Sequence, residues 1–63
     1  MTQEEKDQVI KILEENIILC DQSISLWKSL KNYPTEDILN QIKINEEQKE
    51  LINREILKLK AQD

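Results

Sequence analysis

A single proline, Pro34, divides this chain into two tracts of helical periodicity, and no glycine interrupts either tract. The residue before a proline is biased away from helical geometry, and the proline ring cannot continue a helix running into it. A first helix must therefore stop ahead of Tyr33, and a second starts just beyond Pro34. In the first tract Ile10, Leu13, Ile17, Cys20, Ile24 and Trp27 alternate in steps of three and four. In the second the same spacing joins Ile38, Ile42, Asn45, Lys49, Ile52, Ile56 and Leu59. Each set forms one seam along one helix. The sequence thus predicts an all-α fold: an antiparallel helical hairpin of two long helices, one domain over residues 1–63. Helix one is expected over about 3–32, the turn over 32–35 and helix two over about 36–61. At 1.5 Å per residue each arm is roughly 40–45 Å long, so the two match.

Local signals set the ends. Thr2-Gln3-Glu4-Glu5 has the form of a capping box, in which Thr2 and Glu5 satisfy each other's amide donors. Lys28 and Lys31 suit the last turn of helix one, and Asn32 is the candidate left-handed residue where a glycine would otherwise close the helix. Thr35 is the expected N-cap of helix two, with Glu36 and Asp37 in its first turn. Arg54, Lys58 and Lys60 load its far end with positive charge.

Helix one carries a second apolar line. Ile12, Leu19, Leu26 and Tyr33 repeat every seven residues, flanked by Val9 and Leu30. With the first seam they span an arc of roughly 160°, wider than a helix with one neighbour needs. Ile44 and Leu51 give helix two a weaker version. A chain of 63 residues is also near the lower limit for folding without a disulfide, a metal or a partner. Two hairpins packed as a four-helix bundle would cover both lines. The expectation is a homodimer whose core and interface use Ile10, Ile12, Leu13, Ile17, Leu19, Cys20, Ile24, Leu26, Leu30, Ile38, Ile42, Ile52, Ile56 and Leu59. In an antiparallel pairing Asn45 falls opposite Gln22 and Ser23, with Asn16 and Gln48 nearby. Asn16, Ser23, Asn45 and Gln48 are read as a polar layer that fixes register at a cost in stability.

Chemistry-bearing residues are few. No histidine and one cysteine exclude the usual zinc sites and an internal disulfide. Cys20 lies between Leu19 and Asp21 with no base beside it, and reads as a small buried hydrophobe. Glu14-Glu15 and Glu46-Glu47 with Glu50 read as solvated faces with local pairs such as Asp7–Lys11 and Glu50–Arg54. With no glycine loop and no nucleophile paired with a base, no catalytic, cofactor or metal residue is assigned. Trp27 and Tyr33, the only aromatics, lie near the turn. Together with Ile18, Ile44 and Leu57, which fall outside the main seams, they are the candidate partner contacts.

The formal net charge of −4 opposes general binding to nucleic acid or to an anionic membrane. Lys28 and Lys31, with Lys43, gather near the turn, and Lys6, Lys11, Arg54, Lys58 and Lys60 gather at the open end; most of them read as dipole-compensating or ion-paired. Lys28 and Lys31 are the candidate RNA contacts. The polar acidic start is no signal peptide, and Ile17-Ile18-Leu19-Cys20, the longest apolar run, is too short to span a bilayer. A cytoplasmic location is expected. Usage rich in Ile, Lys, Asn and Glu with one arginine points to an AT-rich bacterial or phage genome.

Two families are similar in part. The length, the start Met1-Thr2-Gln3-Glu4-Glu5-Lys6 and the expected hairpin dimer resemble the Rop-type plasmid copy-number regulators. That resemblance implies binding of paired RNA loops on one face of a bundle. It stops short of the turn, here Asn32-Tyr33-Pro34-Thr35, and transfers no RNA-binding residue. Glu50-Leu51-Ile52-Asn53 resembles the end of the motif in the small sporulation response-regulator phosphatases. The Ser and Leu-Asp that precede it there are Asn45, Gln48 and Lys49 here, so the aspartate is lost and phosphatase activity does not carry over. The resulting expectation is a small non-enzymatic regulator, inhibitor or assembly factor of bacterial or phage origin that binds itself and an unidentified protein. The alternative is RNA binding of the Rop type.

Overall fold

The computed structural model describes residues 1–62 and consists of α1 (Gln3–Ser29) and α2 (Thr35–Ala61), each of 27 residues. The helices pack as an antiparallel hairpin. Near the open end the Lys6 ammonium donates to the Gln62 carbonyl, and at mid-length Lys49 meets Asp21. The Cα trace measures 47 × 14 × 10 Å. Its radius of gyration is 14.8 Å, against roughly 11 Å for a compact globular chain of this length. The shape is a rod two helices wide.

The capping box forms at the start of α1. The Glu5 amide donates to the Thr2 hydroxyl, and the Thr2 amide donates to the Glu5 carboxylate, both at 3.1 Å. The Thr2 backbone N–H, and after it the Thr2 hydroxyl, hold the Glu5 carboxyl below the usual range. Next along the helix, Asp7 accepts from the Gln3 side-chain amide, and no Asp7–Lys11 pair is present. The expected Glu50–Arg54 pair is present at 2.6 Å.

The turn differs from the sequence expectation in three ways. First, α1 ends at Ser29, two to three residues early. The Ser29 hydroxyl donates back to the Leu26 carbonyl and Leu30 turns extended, its N–H reaching the Trp27 carbonyl in the tighter three-residue pattern. Tyr33 therefore lies in the loop, off the Ile12–Leu19–Leu26 line. Second, Asn32 is not left-handed: among the described residues none has positive φ, because the extended Leu30 makes the stop without it. Third, Thr35 is the first residue of α2, and Pro34 is the cap. Its fixed φ of −55° with ψ of 138° already has cap geometry, and its carbonyl accepts from the Ile38 amide. Proline has no side-chain acceptor, so this helix start lacks the side-chain bond that Thr2 gives α1. The five-residue loop Leu30–Pro34 is within the usual span for an antiparallel helix pair.

The seam predicted from periodicity is the line along which the helices meet. Ile10, Cys20, Ile24, Ile56 and Leu59 are buried, and Leu13, Ile17, Trp27, Ile38, Ile42 and Ile52 are half-buried. The apolar centre sits toward the open end, where Val9, Leu13, Ile17 and Ile52 pack on Ile10, Ile56 and Leu59. No large side chain is completely enclosed anywhere along the rod.

Replacing Thr2 by Ala removes an acceptor at the α1 start and is expected to lower stability by about 1 kcal/mol. Because the Glu5 carboxyl is depressed in the folded chain, its contribution is present above the ordinary value of 4.5 and fades as pH falls through the folded value. Glu5→Gln should flatten that acid limb in denaturant titrations taken at several pH values. An unchanged limb would show that the box contributes nothing.

Candidate functional site

The chemistry-bearing features of the sequence fall into three places on the rod. At the turn, Trp27 and Tyr33 meet edge to face, with ring centroids 5.5 Å apart and planes at 76°. Trp27 is half-buried and Tyr33 is exposed. The contact pins the loop back onto α1, and one side of the Tyr33 ring stays in solvent. Lys28 and Lys31 are exposed beside it.

At the open end two of the gathered cations are spent locally. Lys6 is 5 % exposed and gives its charge to the Gln62 carbonyl at the α2 C-terminus, where the helix dipole favours a cation. Arg54 is tied to Glu50. Sequence reasoning left Lys6 out of the buried seam. Its three-and-four spacing with Ile10, Leu13 and Ile17 was the signal that it belongs to the seam.

The third place is mid-length, where Asn16, Leu19, Cys20, Asn45, Gln48 and Ile52 line an open groove of about 320 Å³. Three of the four residues expected to form a polar layer are there; Ser23 lies on the same side of α1, half-buried. No hydrogen bond joins Asn16, Ser23, Asn45 and Gln48 across the helices. The Asn45 side-chain amide instead donates to the Gln41 carbonyl one turn back on its own helix, at 2.8 Å. What joins the helices here is the Asp21–Lys49 ion pair on the other side of the seam, at 2.5 Å. The Asp21 hydrogen bond, above all else, holds the Lys49 ammonium above the usual lysine range.

Around this groove the second apolar line stands in water. Ile12 is 57 % exposed, Leu19 59 %, Leu26 61 %, Ile44 46 % and Leu51 62 %. At 100° per residue, Ile12, Leu19 and Leu26 share an arc of roughly 40°, turned roughly 140° from the buried line of α1. Ile44 and Leu51 sit roughly 100° from the buried line of α2. Because the helices are antiparallel, a rotation of the same sense from each seam leads to the same side of the rod. Leu19 and Gln48 flanking one groove place the two lines on that common face. Ile18, Leu39 and Leu57 are also exposed but lie elsewhere: Ile18 points outward from α1, and Leu39 and Leu57 line the opposite side of α2. Candidate partner contacts Ile18 and Leu57 are therefore not contiguous with Ile44.

The single chain exposes 5113 Å², whereas a compact monomer of 7.5 kDa exposes roughly 4,250 Å². The excess is about 850 Å². Among the described residues no group of three or more His, Cys, Asp or Glu side chains is placed to hold a metal ion, and no helix is long and apolar enough to cross a membrane. Comparison of the chain with protein-family models, curated proteins and solved structures found no match.

Asn45 thus sits half-buried with an intrahelical bond only. Asn45→Ile is expected to raise the unfolding midpoint by several degrees while loosening the specificity of association. A fall in midpoint would show that the amide holds contacts which an isoleucine breaks.

Proposed function

We propose that this chain is a small, non-enzymatic, protein-binding regulator, inhibitor or assembly factor that acts as a dimer of helical hairpins in a bacterial or phage cytoplasm. The observation that carries this reading is the apolar line Ile12–Leu19–Leu26 standing exposed beside a groove. Apolar rows of this extent are rarely left on soluble monomers and mark contact surfaces. Helical hairpins offer partners straight, rigid faces that recognise other helices by side chains at i, i+3, i+4 and i+7. The lone thiol of Cys20 suits a reducing compartment. In the dimer the turn end remains free, and Trp27 with Tyr33 is the anchor offered to a client protein.

One observation favours a second reading. Lys28, in the last turn of α1, and Lys31, in the loop that carries the solvent-facing Tyr33 ring, are both exposed. A cation beside an aromatic face is the usual arrangement for holding an unpaired base. In this alternative the hairpin dimer binds structured RNA at its turn ends, as the Rop resemblance implies.

Retention of partners from host lysate on the tagged full-length chain, with and without nuclease, separates the two. The primary reading predicts a protein retained after nuclease treatment, with affinity reduced tenfold or more by Trp27→Ala or Tyr33→Ala and unaffected by Lys28→Ala. Retention of structured RNA alone, strengthened at low salt and weakened by Lys28→Ala, would replace it with the alternative.

A further inference from the structure

We infer that the face carrying Ile12, Leu19, Leu26, Ile44 and Leu51 is occupied by the same face of a second copy of this chain, with Leu19 of each copy seated in the mid-length groove of the other. This rests on the dimer reading above and deepens it by assigning the surface.

Three observations carry the assignment. The first is layout. Viewed along the rod, the exposed apolar side chains alternate between the helices in the order Ile12, Leu51, Leu19, Ile44, Leu26, and the strip covers about 21 Å of helix length. The groove lies at the centre of that strip, and Leu19 forms one of its walls. A projecting leucine and a receiving hollow on one patch are what a two-fold contact requires, because each copy then supplies both. The hollow has half-buried Ile52 and buried Cys20 at its base.

The second is charge. Between the levels of Ile12 and Leu26 the middle of this face is apolar or amide except for one carboxylate, Glu55, near the Ile12 end: Asn16, Ser23, Gln41 and Gln48 complete it. Glu5 and Asp37 fall at its two ends, and Glu15 and Glu47 at its outer edges. The opposite face carries the Asp21–Lys49 and Glu50–Arg54 pairs together with Glu14 and Glu46. Stacking two copies on that side would strip water from several charges with no new partner, whereas this side loses apolar and amide hydration along most of its length and carries one carboxylate, Glu55, near the Ile12 end. The amides of Asn16 and Gln48 line the groove, exposed, with no hydrogen bond to the other described residues, and can pair across the contact.

The third is area. The excess of about 850 Å² that the single rod exposes over a compact chain of its mass equals the roughly 800 Å² that each partner contributes to a standard interface. Docking one equally long hairpin on this face covers the whole strip. A globular partner touching the rod at one end would leave most of the strip wet.

Sedimentation equilibrium of the full chain and two variants tests this. At micromolar concentration the wild-type chain should sediment at twice 7.5 kDa, Leu57→Glu, on the opposite side, should do the same, and Leu19→Glu should lose association at least a hundredfold. Because Leu19→Glu also puts a charge on the hairpin itself, the unaltered chain supplies a second readout. Cys20 is buried and lines the groove, so its reaction with a thiol reagent should slow at least tenfold as concentration is raised through the association range. A wild-type dimer whose Cys20 rate does not change, or which survives Leu19→Glu, overturns the assigned face and leaves the dimer standing. A folded wild-type monomer overturns both.

Discussion

The architecture depends on a single seam. Two helices of equal length touch along one line, and only where both offer an isoleucine or leucine, at Ile10, Ile56 and Leu59, does the contact close into anything like a core. A helix pair has no third element to cap that line, so every seam side chain keeps one flank open to water. The burial pattern records this: buried positions are single residues a turn or more apart, separated by half-buried ones. The free energy of such a line is limited by its width, since apolar stabilisation follows the area removed from water. The remaining features of the molecule either tighten the line or add to its width.

The ends tighten it. At the open end the capping box fixes the start of α1, and one turn later Lys6 reaches across to the last carbonyl described on α2. A lysine thereby serves as part of the seam, its alkyl stem lying along the packed surface and its ammonium neutralising the negative end of the neighbouring helix. At the turn, Trp27 against Tyr33 and the rigid Pro34 reverse the chain without glycine. The middle has neither device. There the helices are joined by a solvent-exposed ion pair, which contributes little to stability, and the apolar contact gives way to a groove edged with amides. The middle is thus where the hairpin is least complete, and the exposed leucines gather around it.

Periodicity made the seam and the second apolar line legible before any coordinates, because the 3.6-residue repeat converts spacing directly into direction. The capping box was legible for the same kind of reason: its two bonds are local and its spelling is specific. The turn was not. Whether a helix ends at Ser29 or Asn32 depends on a competition between the Ser29 hydroxyl and the backbone for the Leu26 carbonyl, and on Tyr33 finding Trp27, both of which are settled in three dimensions. The burial of Lys6 in the seam was missed because the seam was read from apolar residues alone. Opposite pairing of Asn45 with Ser23 followed from counting along the arms, yet side chains at equal height need not face each other. Asn45 satisfied itself within its own helix, and Asp21 with Lys49 took the contact. The common face of the two apolar lines needed the hairpin's handedness as well as its spacing.

The proposed dimer rests on the seam being too narrow to hold the hairpin without a second layer. Anything that binds the folded chain raises its stability by mass action, so self-association, where it occurs, shows in the melting behaviour. Thermal unfolding followed by circular dichroism from nanomolar to hundred-micromolar concentration measures this directly. The account predicts a midpoint that climbs steadily with concentration, with helix signal lost on extreme dilution. A sharp, fully helical transition at the same temperature across the whole range would contradict it.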